Sequence, residues 1–379
     1  MAACGERMPS VRRSGPCPVA RPGCRRRICI LLVAEVVGSK ADQVDDQRTI
    51  GNQRSLSYPF AGIPSFLRTR IQADLIGLDS DIAVLGVPSD EGSPYLPGSR
   101  FGPRRIREHS LRFDVDGYYD GRADRTFLEH ELTNGLIADA GDVNVLPTNP
   151  EGTWENVTTA LRSILSAGAL PVVIGGDHAI SAPVVRAWDR PIHVVHFDAH
   201  IDYTPFRHGF MYTNVQPMRH IRKMPHVQTL TQVGIRSLRN RRSDVHDSIS
   251  DGNRVIAMEE FRDRGPRAIA AALPANAAVY VSIDIDVLDM ALVPGCVSGE
   301  PNGLAYDELR ETLIALSEHS DVVGFDLVEV NPLLDVGTGI TSYLAAHTIV
   351  EFLGHICAQP RWTSRREERA ELRRRRVSA

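Results

Sequence analysis

Four polar clusters in this 379-residue chain each stand where an apolar run stops: Gly175-Gly-Asp-His178, His196-Phe-Asp-Ala-His-Ile-Asp202, Ser282-Ile-Asp-Ile-Asp286 and Asp326-Leu-Val-Glu-Val-Asn331. Asp198, His200 and Asp202 fall at i, i+2 and i+4, so in extended chain they share one face and span about 13 Å. One ion with ligands at about 2.0–2.2 Å reaches all three only if the chain curls. Two ions about 3.5–4 Å apart use them more readily, with Asp198 as a bridge. Asp284 and Asp286 repeat the i, i+2 spacing on another run, and His178 completes a set of four carboxylates and two imidazoles.

Such a set cannot pack without counter-charge, because like charges repel and raise one another's pKa. Two divalent cations cancel the four negatives. The donors are hard and include no thiolate, which suits manganese over zinc or copper, while imidazole also admits nickel, iron or cobalt. A single Asp-x-His or Asp-x-Asp is ordinarily a turn, a cap or a surface pair, and Gly175-Gly176 alone is turn chemistry. The joint occurrence of ligand-rich clusters, each after a buried run, carries the reading. His196 shares the strand face of Asp198 and reads as a core histidine behind it. His208, five residues further into a loop, would by itself be a surface histidine.

The elements that must position these groups are legible as short β-rich runs: Asp81–Pro88, Leu170–Ile174, Ile192–Phe197, Thr229–Val233, Val255–Ala257, Ala278–Asp284 and Asp321–Asp326. Helices are expected between them at Thr153–Ala167, Ser181–Trp188, Tyr306–Ser317 and Ser342–Leu353. Val157, Leu161 and Leu165 form one apolar stripe of the first. Near-continuous apolar strands alternating with helices indicate an α/β fold, with a mostly parallel central sheet covered on both faces. In such sheets ligands bind beyond the carboxyl ends of the strands, where the four clusters meet if those strands are neighbours.

The formal net charge is −4, but residues 1–30 hold seven Arg and one Glu, and residues 361–379 hold eight Arg and three acids. Residues 31–360 therefore carry about −15, which argues against nucleic acid as a partner and for a carboxylate-built site. Four of the six cysteines, Cys4, Cys17, Cys24 and Cys29, lie in the irregular N-terminal stretch. No disulfide framework supports the body, and a reducing, cytoplasmic setting is the simpler expectation. The longest apolar run, Ile28–Ala34, falls far short of the roughly 20 residues that span a bilayer, so no membrane partner is expected. Its Arg-rich flank imitates a targeting peptide, against the plainer reading of an extension. The expected organisation is an irregular arm over 1–59, one catalytic domain over 60–358 and a solvated, partly helical basic tail over 359–379.

On these residues the sequence resembles the ureohydrolase family of arginases, agmatinases and their relatives. Gly175–His178, Asp198–Asp202 and Ser282–Asp289 match the family's signature segments, and Asp326–Pro332 also matches. Pro97-Gly-Ser-Arg-Phe-Gly-Pro-Arg-Arg-Ile-Arg107 resembles the arginine-rich segment of the agmatinase branch. The resemblance implies a three-layer α/β/α, arginase-like domain, a binuclear manganese centre and a homo-oligomer, a trimer or hexamer. It implies one metal on His178, Asp198, Asp202 and Asp284, and a second on Asp198, His200, Asp284 and Asp286. Glu329 matches the carboxylate that binds a guanidinium, and His208 is the best match for a proton-shuttling histidine. Asp202 counts both as a ligand and as a catalytic residue.

The activity so implied is hydrolysis of a small guanidino compound to urea and an amine, agmatine to putrescine and urea first. Guanidine, a guanidino acid such as guanidinobutyrate or guanidinopropionate, and a non-catalytic metal-binding role are the alternatives. Two departures bear on the substrate. The loop from Asp202 to His208 is short for the family, and Cys296, Val297, Ser298 and Gly299 replace its Thr-Gly-Thr-Pro pattern. Glu300, Asp90 and Glu91 are candidates to meet the distant ammonium of agmatine.

Overall fold

Nine strands form the central sheet: Arg70–Ile71 (β1), Ile82–Val87 (β2), Ile137–Asp142 (β3), Leu170–Gly175 (β4), Ile192–Phe197 (β5), Val227–Ile235 (β6), Arg254–Ala257 (β7), Ala278–Asp284 (β8) and Asp321–Val328 (β9). Their order is β7-β6-β5-β8-β9-β4-β2-β3-β1, and every pairing is parallel. The computed structural model describes residues 49–50, 53–54, 58–206 and 209–377, with the backbone alone for 49–50, 53–54 and 372–377.

Alternation along the strands divides the core into two layers. Ile82 and Val84 face one cluster with Val172, Val281 and Phe325, while Ala83, Leu85 and Val87 face the other with Val173 and Val194. The first layer is covered by helices including Gly102–Ser110, Tyr306–His319 and Ile340–Cys357, and the second by Pro150–Ser166 and Ser181–Val185. This is the expected three-layer α/β/α arrangement. No helix among the described residues is long and apolar enough to cross a membrane.

Sheet order explains the site. The chain leaves β4 and enters β5 three places away, and β8 and β9 later fill the gap. Ile174 pairs with Leu327, Asp284 with Val328, and Ile283 with Phe197, so these four strands end nearly flush. The polar residues that follow them emerge side by side.

The Arg-rich segment is structural. Arg107, on Gly102–Ser110, is buried and grips Asp139 with two bonds of 2.8 and 2.9 Å, with Asp142 at 2.6 Å. It ties that helix to β3. At the ends of the chain the expectations need amendment. The part of the arm that is described holds a short antiparallel pairing of Thr49–Ile50 with Gln53–Arg54. The expected solvated tail is the helix Pro360–Val377, and its first half packs on the body. Trp362 is buried and donates to Glu131, while Arg369 donates to the carbonyls of Ser80 and Ala167. Composition hides this, because the anchoring arginines look like solvated charge.

Candidate metal and guanidinium site

Beyond the strand ends the chain curls, as a shared ligand set requires. β5 stops at Phe197, and Asp202 adopts a left-handed backbone (φ 47°) that returns it toward His178. A short polar side chain tolerates that conformation better than most. Gly176 is needed for close approach, since a Cβ there would lie 1.8 Å from the carbonyl oxygen of Ser89. Asp177 caps the turn that carries His178, accepting from the Ala179 N–H at 3.1 Å.

His178 Nδ1 faces three carboxylate oxygens: Asp198 Oδ2 at 3.1 Å, Asp202 Oδ2 at 3.2 Å and Asp284 Oδ2 at 3.2 Å. His200 Nδ1 faces the other oxygen of Asp198 at 3.2 Å and Asp286 Oδ2 at 3.0 Å. Asp198 therefore divides its two oxygens between two groups of donors. Asp284 and Asp286 do not simply share a strand face. Asp284 ends β8, and its Oδ1 accepts from the backbone N–H of Asp286 in the following turn at 2.9 Å.

The residues present fit divalent cations. His178 Nδ1 and Asp286 Oδ2 are buried polar atoms whose close neighbours are not aligned as hydrogen bonds, and such atoms are costly unless something satisfies them. Burial, then the charge of Asp198, pushes the Asp202 carboxyl up to about 7. Burial, with Asp286 and Asp198, raises Asp284 well above its ordinary value. Burial opposes charge on His200, but Asp286 and Asp198 outweigh it and push the imidazole up to about 12. Negative charge is in excess here, which is what cations would cancel.

Several supports had no assigned role in the sequence. His178 Nε2 lies 3.0 Å from the hydroxyl of Ser282, which donates to Asp326 at 2.7 Å; the Tyr280 hydroxyl donates to the same carboxylate at 2.6 Å. His196 is the buried histidine behind the site: its Nε2 lies 2.8 Å from Asp198 Oδ2, and Gln232 holds its Nδ1 at 3.2 Å. The sulfur of Cys296, outside the expected donor set, lies within 4.8 Å of oxygens of Asp284 and Asp286. Burial, then those carboxylates, keeps its pKa well above the ordinary thiol value.

Glu329, just past β9, has a positive φ of 66°. Its Oε1 accepts from the backbone N–H of His178 at 2.9 Å and from Asn214 Nδ2 at 3.0 Å. Burial raises its carboxyl above the ordinary value despite those two donors. A cavity of about 270 Å³ opens over these groups, lined in part by Asp202, Asp284, Glu329, Asn214, Arg239 and Arg241. His208, expected to shuttle a proton, lies outside the described residues.

Residues 80–354 match the Arginase family. The chain belongs to that family. The guanidino acid hydrolase of Homo sapiens mitochondria is 32% identical over 311 residues, covering 80% of this chain and 84% of its own. The mitochondrial agmatinase of Gallus gallus is 32% identical over 300 residues, covering 77% and 85%. Among solved structures, proclavaminate amidinohydrolase from Streptomyces clavuligerus superposes with a TM-score of 0.71 at 32% identity, over 79% of this chain and 98% of that one. Arginase-family chemistry thus comes with this fold, and the relatives differ in the substrates for which they are named.

Proposed function

We propose that the protein is a binuclear-metal amidinohydrolase that cleaves a guanidino compound to urea and an amine. The observation that carries this reading is the division of Asp198 between His178 and His200. One ion would rest on His178, Asp198, Asp202 and Asp284, the other on Asp198, His200, Asp284 and Asp286. Manganese suits a donor set dominated by carboxylate oxygen, and nickel is compatible with its imidazoles.

When bound, a pair of divalent ions acidifies a water and stabilises the charge that develops as it attacks. The chain's own residues supply the rest. Glu329 accepts N–H bonds from the planar guanidinium, which holds the carbon over the carboxylate nest. Asn214 and the His178 N–H keep Glu329 from swinging away. The departing amine needs a proton, the part expected of His208.

Agmatine, by the sequence resemblance and by kinship with agmatinases, and guanidino acids, by kinship with guanidino acid hydrolases, are the substrates to test. A homo-oligomer belongs to the same reading and is checked by light scattering of the intact chain. Cytoplasmic residence is supported by Cys296 and Cys357, which are free thiols. Urea release from a panel of guanidino compounds, with elemental analysis of the same sample, tests the proposal. A metal-loaded preparation that releases no urea from any of them would reduce it to a metal-binding homologue.

A further inference from the structure

We propose that Arg241 makes this site select guanidino acids, whose far end is a carboxylate, over agmatine, whose far end is an ammonium. The inference rests on the hydrolase reading above and names its substrate class. The three acids expected to meet an ammonium are engaged elsewhere. Asp90 is buried, accepts from the Gly98 N–H at 2.6 Å and pairs with Arg100. Glu91 accepts from the Thr148 N–H at 2.8 Å. Glu300 accepts from Ser237 at 2.6 Å and from Arg239 at 3.0 Å.

The remaining charges on the cavity wall can be followed one by one. His200, Asp202, Asp284 and Asp286 belong to the proposed ligand nest, and Glu329 is matched to the guanidinium. Asp244 is buried, and its two oxygens accept from the hydroxyls of Thr204 and Ser243, each at 2.8 Å. Arg239 is neutralised by Glu300 and also donates to the Ser298 carbonyl at 2.8 Å. Arg241 is left. Among the described residues the guanidinium of Arg241 has no hydrogen bond or ion pair, and the residue, which is exposed, is one of those that line the cavity. It also precedes the nine-residue helix Arg242–Ser250, whose positive end adds to its field.

The one charged side chain of the cavity wall that makes no hydrogen bond or ion pair among the described residues is therefore positive. An ammonium brought beside Arg241 meets like charge. A carboxylate can accept two parallel N–H bonds from the planar guanidinium, which a lysine would not reproduce.

The test measures urea release from 4-guanidinobutyrate, 3-guanidinopropionate and agmatine by the metal-loaded wild type, Arg241→Gln, Arg241→Lys and Asp244→Asn. Calorimetric binding of 4-guanidinobutyrate accompanies it. The wild type should favour the guanidino acids in kcat/KM. Arg241→Gln should raise their KM about tenfold or more with little change in kcat, because that contact is alike in ground and transition states. The same change should lower the KM for agmatine, and Arg241→Lys should fall between.

A wild type that prefers agmatine, an Arg241→Gln loss shared equally by acid and amine, or an agmatine KM governed by Asp244 would overturn the proposal. If 4-guanidinobutyrate binds the wild type much more tightly than Arg241→Gln but no compound yields urea, the hydrolase reading fails and the role of Arg241 stands. If urea forms from agmatine alone, the opposite holds.

Discussion

The backbone N–H of His178 donates to Oε1 of Glu329 over 2.9 Å. The residue whose ring faces three carboxylates thus fixes, through its main chain, the carboxylate that faces the cavity. Glu329 returns a backbone bond to the carbonyl of Gly176 at 2.8 Å. The ends of β4 and β9 are thereby laced together, and neither the proposed metal nest nor the guanidinium anchor moves without the other.

Replacing Glu329 with Gln keeps an acceptor for the His178 N–H and removes the charge. Metal content should stay near the wild-type value, while kcat/KM falls by about 100-fold or more, on the order of 3 kcal/mol. Wild-type kinetics in this variant would show that the guanidinium is held elsewhere. Asn214→Ala should give a smaller loss in the same direction, since it frees Glu329 without discharging it.

Asp198 and Asp284 each serve both proposed ions. Asp284→Asn should therefore remove most activity and lower metal content at both positions. Elemental analysis of the wild type should find about two ions per chain, the number that offsets four carboxylates. One ion or fewer in fully loaded wild type would sink the two-metal reading.

The central strands are legible in the sequence because their β-branched apolar runs are bounded by polar clusters. Strand β3, whose Ile-Ala-Asp-Ala-Gly-Asp spells small and charged residues, and the two-residue edge strand β1 carry no such signal. The helix Gly102–Ser110 buries Arg107 and His109 as well as Ile106. A hydrophobic period cannot report a buried ion pair. The ligand set is legible because each member lies at or shortly after the carboxyl end of a strand. Asn214 is not, since nothing local in a loop says that it will meet Glu329, 115 residues away. The curl at Asp202 is likewise hidden, because i, i+2, i+4 spacing describes an extended chain that ends at Phe197.

Ser282 stands between His178 and Asp326, with contacts of 3.0 and 2.7 Å. A hydrogen-bonded partner behind a ligating imidazole fixes its tautomer and orientation, and its loss typically costs about 10–100-fold in metal affinity. Ser282→Ala should weaken metal binding within that range, read by competition with a chelator, and leave the far-ultraviolet spectrum unchanged. Undiminished metal affinity would mean that packing alone orients His178.

Acid stability should depend on Asp90, which anchors the loop after β2. Burial alone would raise its pKa, but the bond from Arg100, then the N–H groups of Gly98 and Arg100, outweigh burial and hold the carboxyl below its ordinary value of 3.8. A folded-state pKa depressed in this way contributes stability above the unfolded value, and that contribution is lost as pH falls through the folded one. Asp90→Asn should therefore cost about 1–3 kcal/mol near pH 6, the range for a buried, hydrogen-bonded charge deprived of its pairing. The gap to wild type should narrow in solutions more acidic than the ordinary carboxyl value. Acid also protonates the carboxylate nest, but it does so in both proteins and cancels from the difference. Urea-unfolding midpoints at the two pH values measure the gap, and one that stays constant would show that the Asp90 charge does not hold this loop.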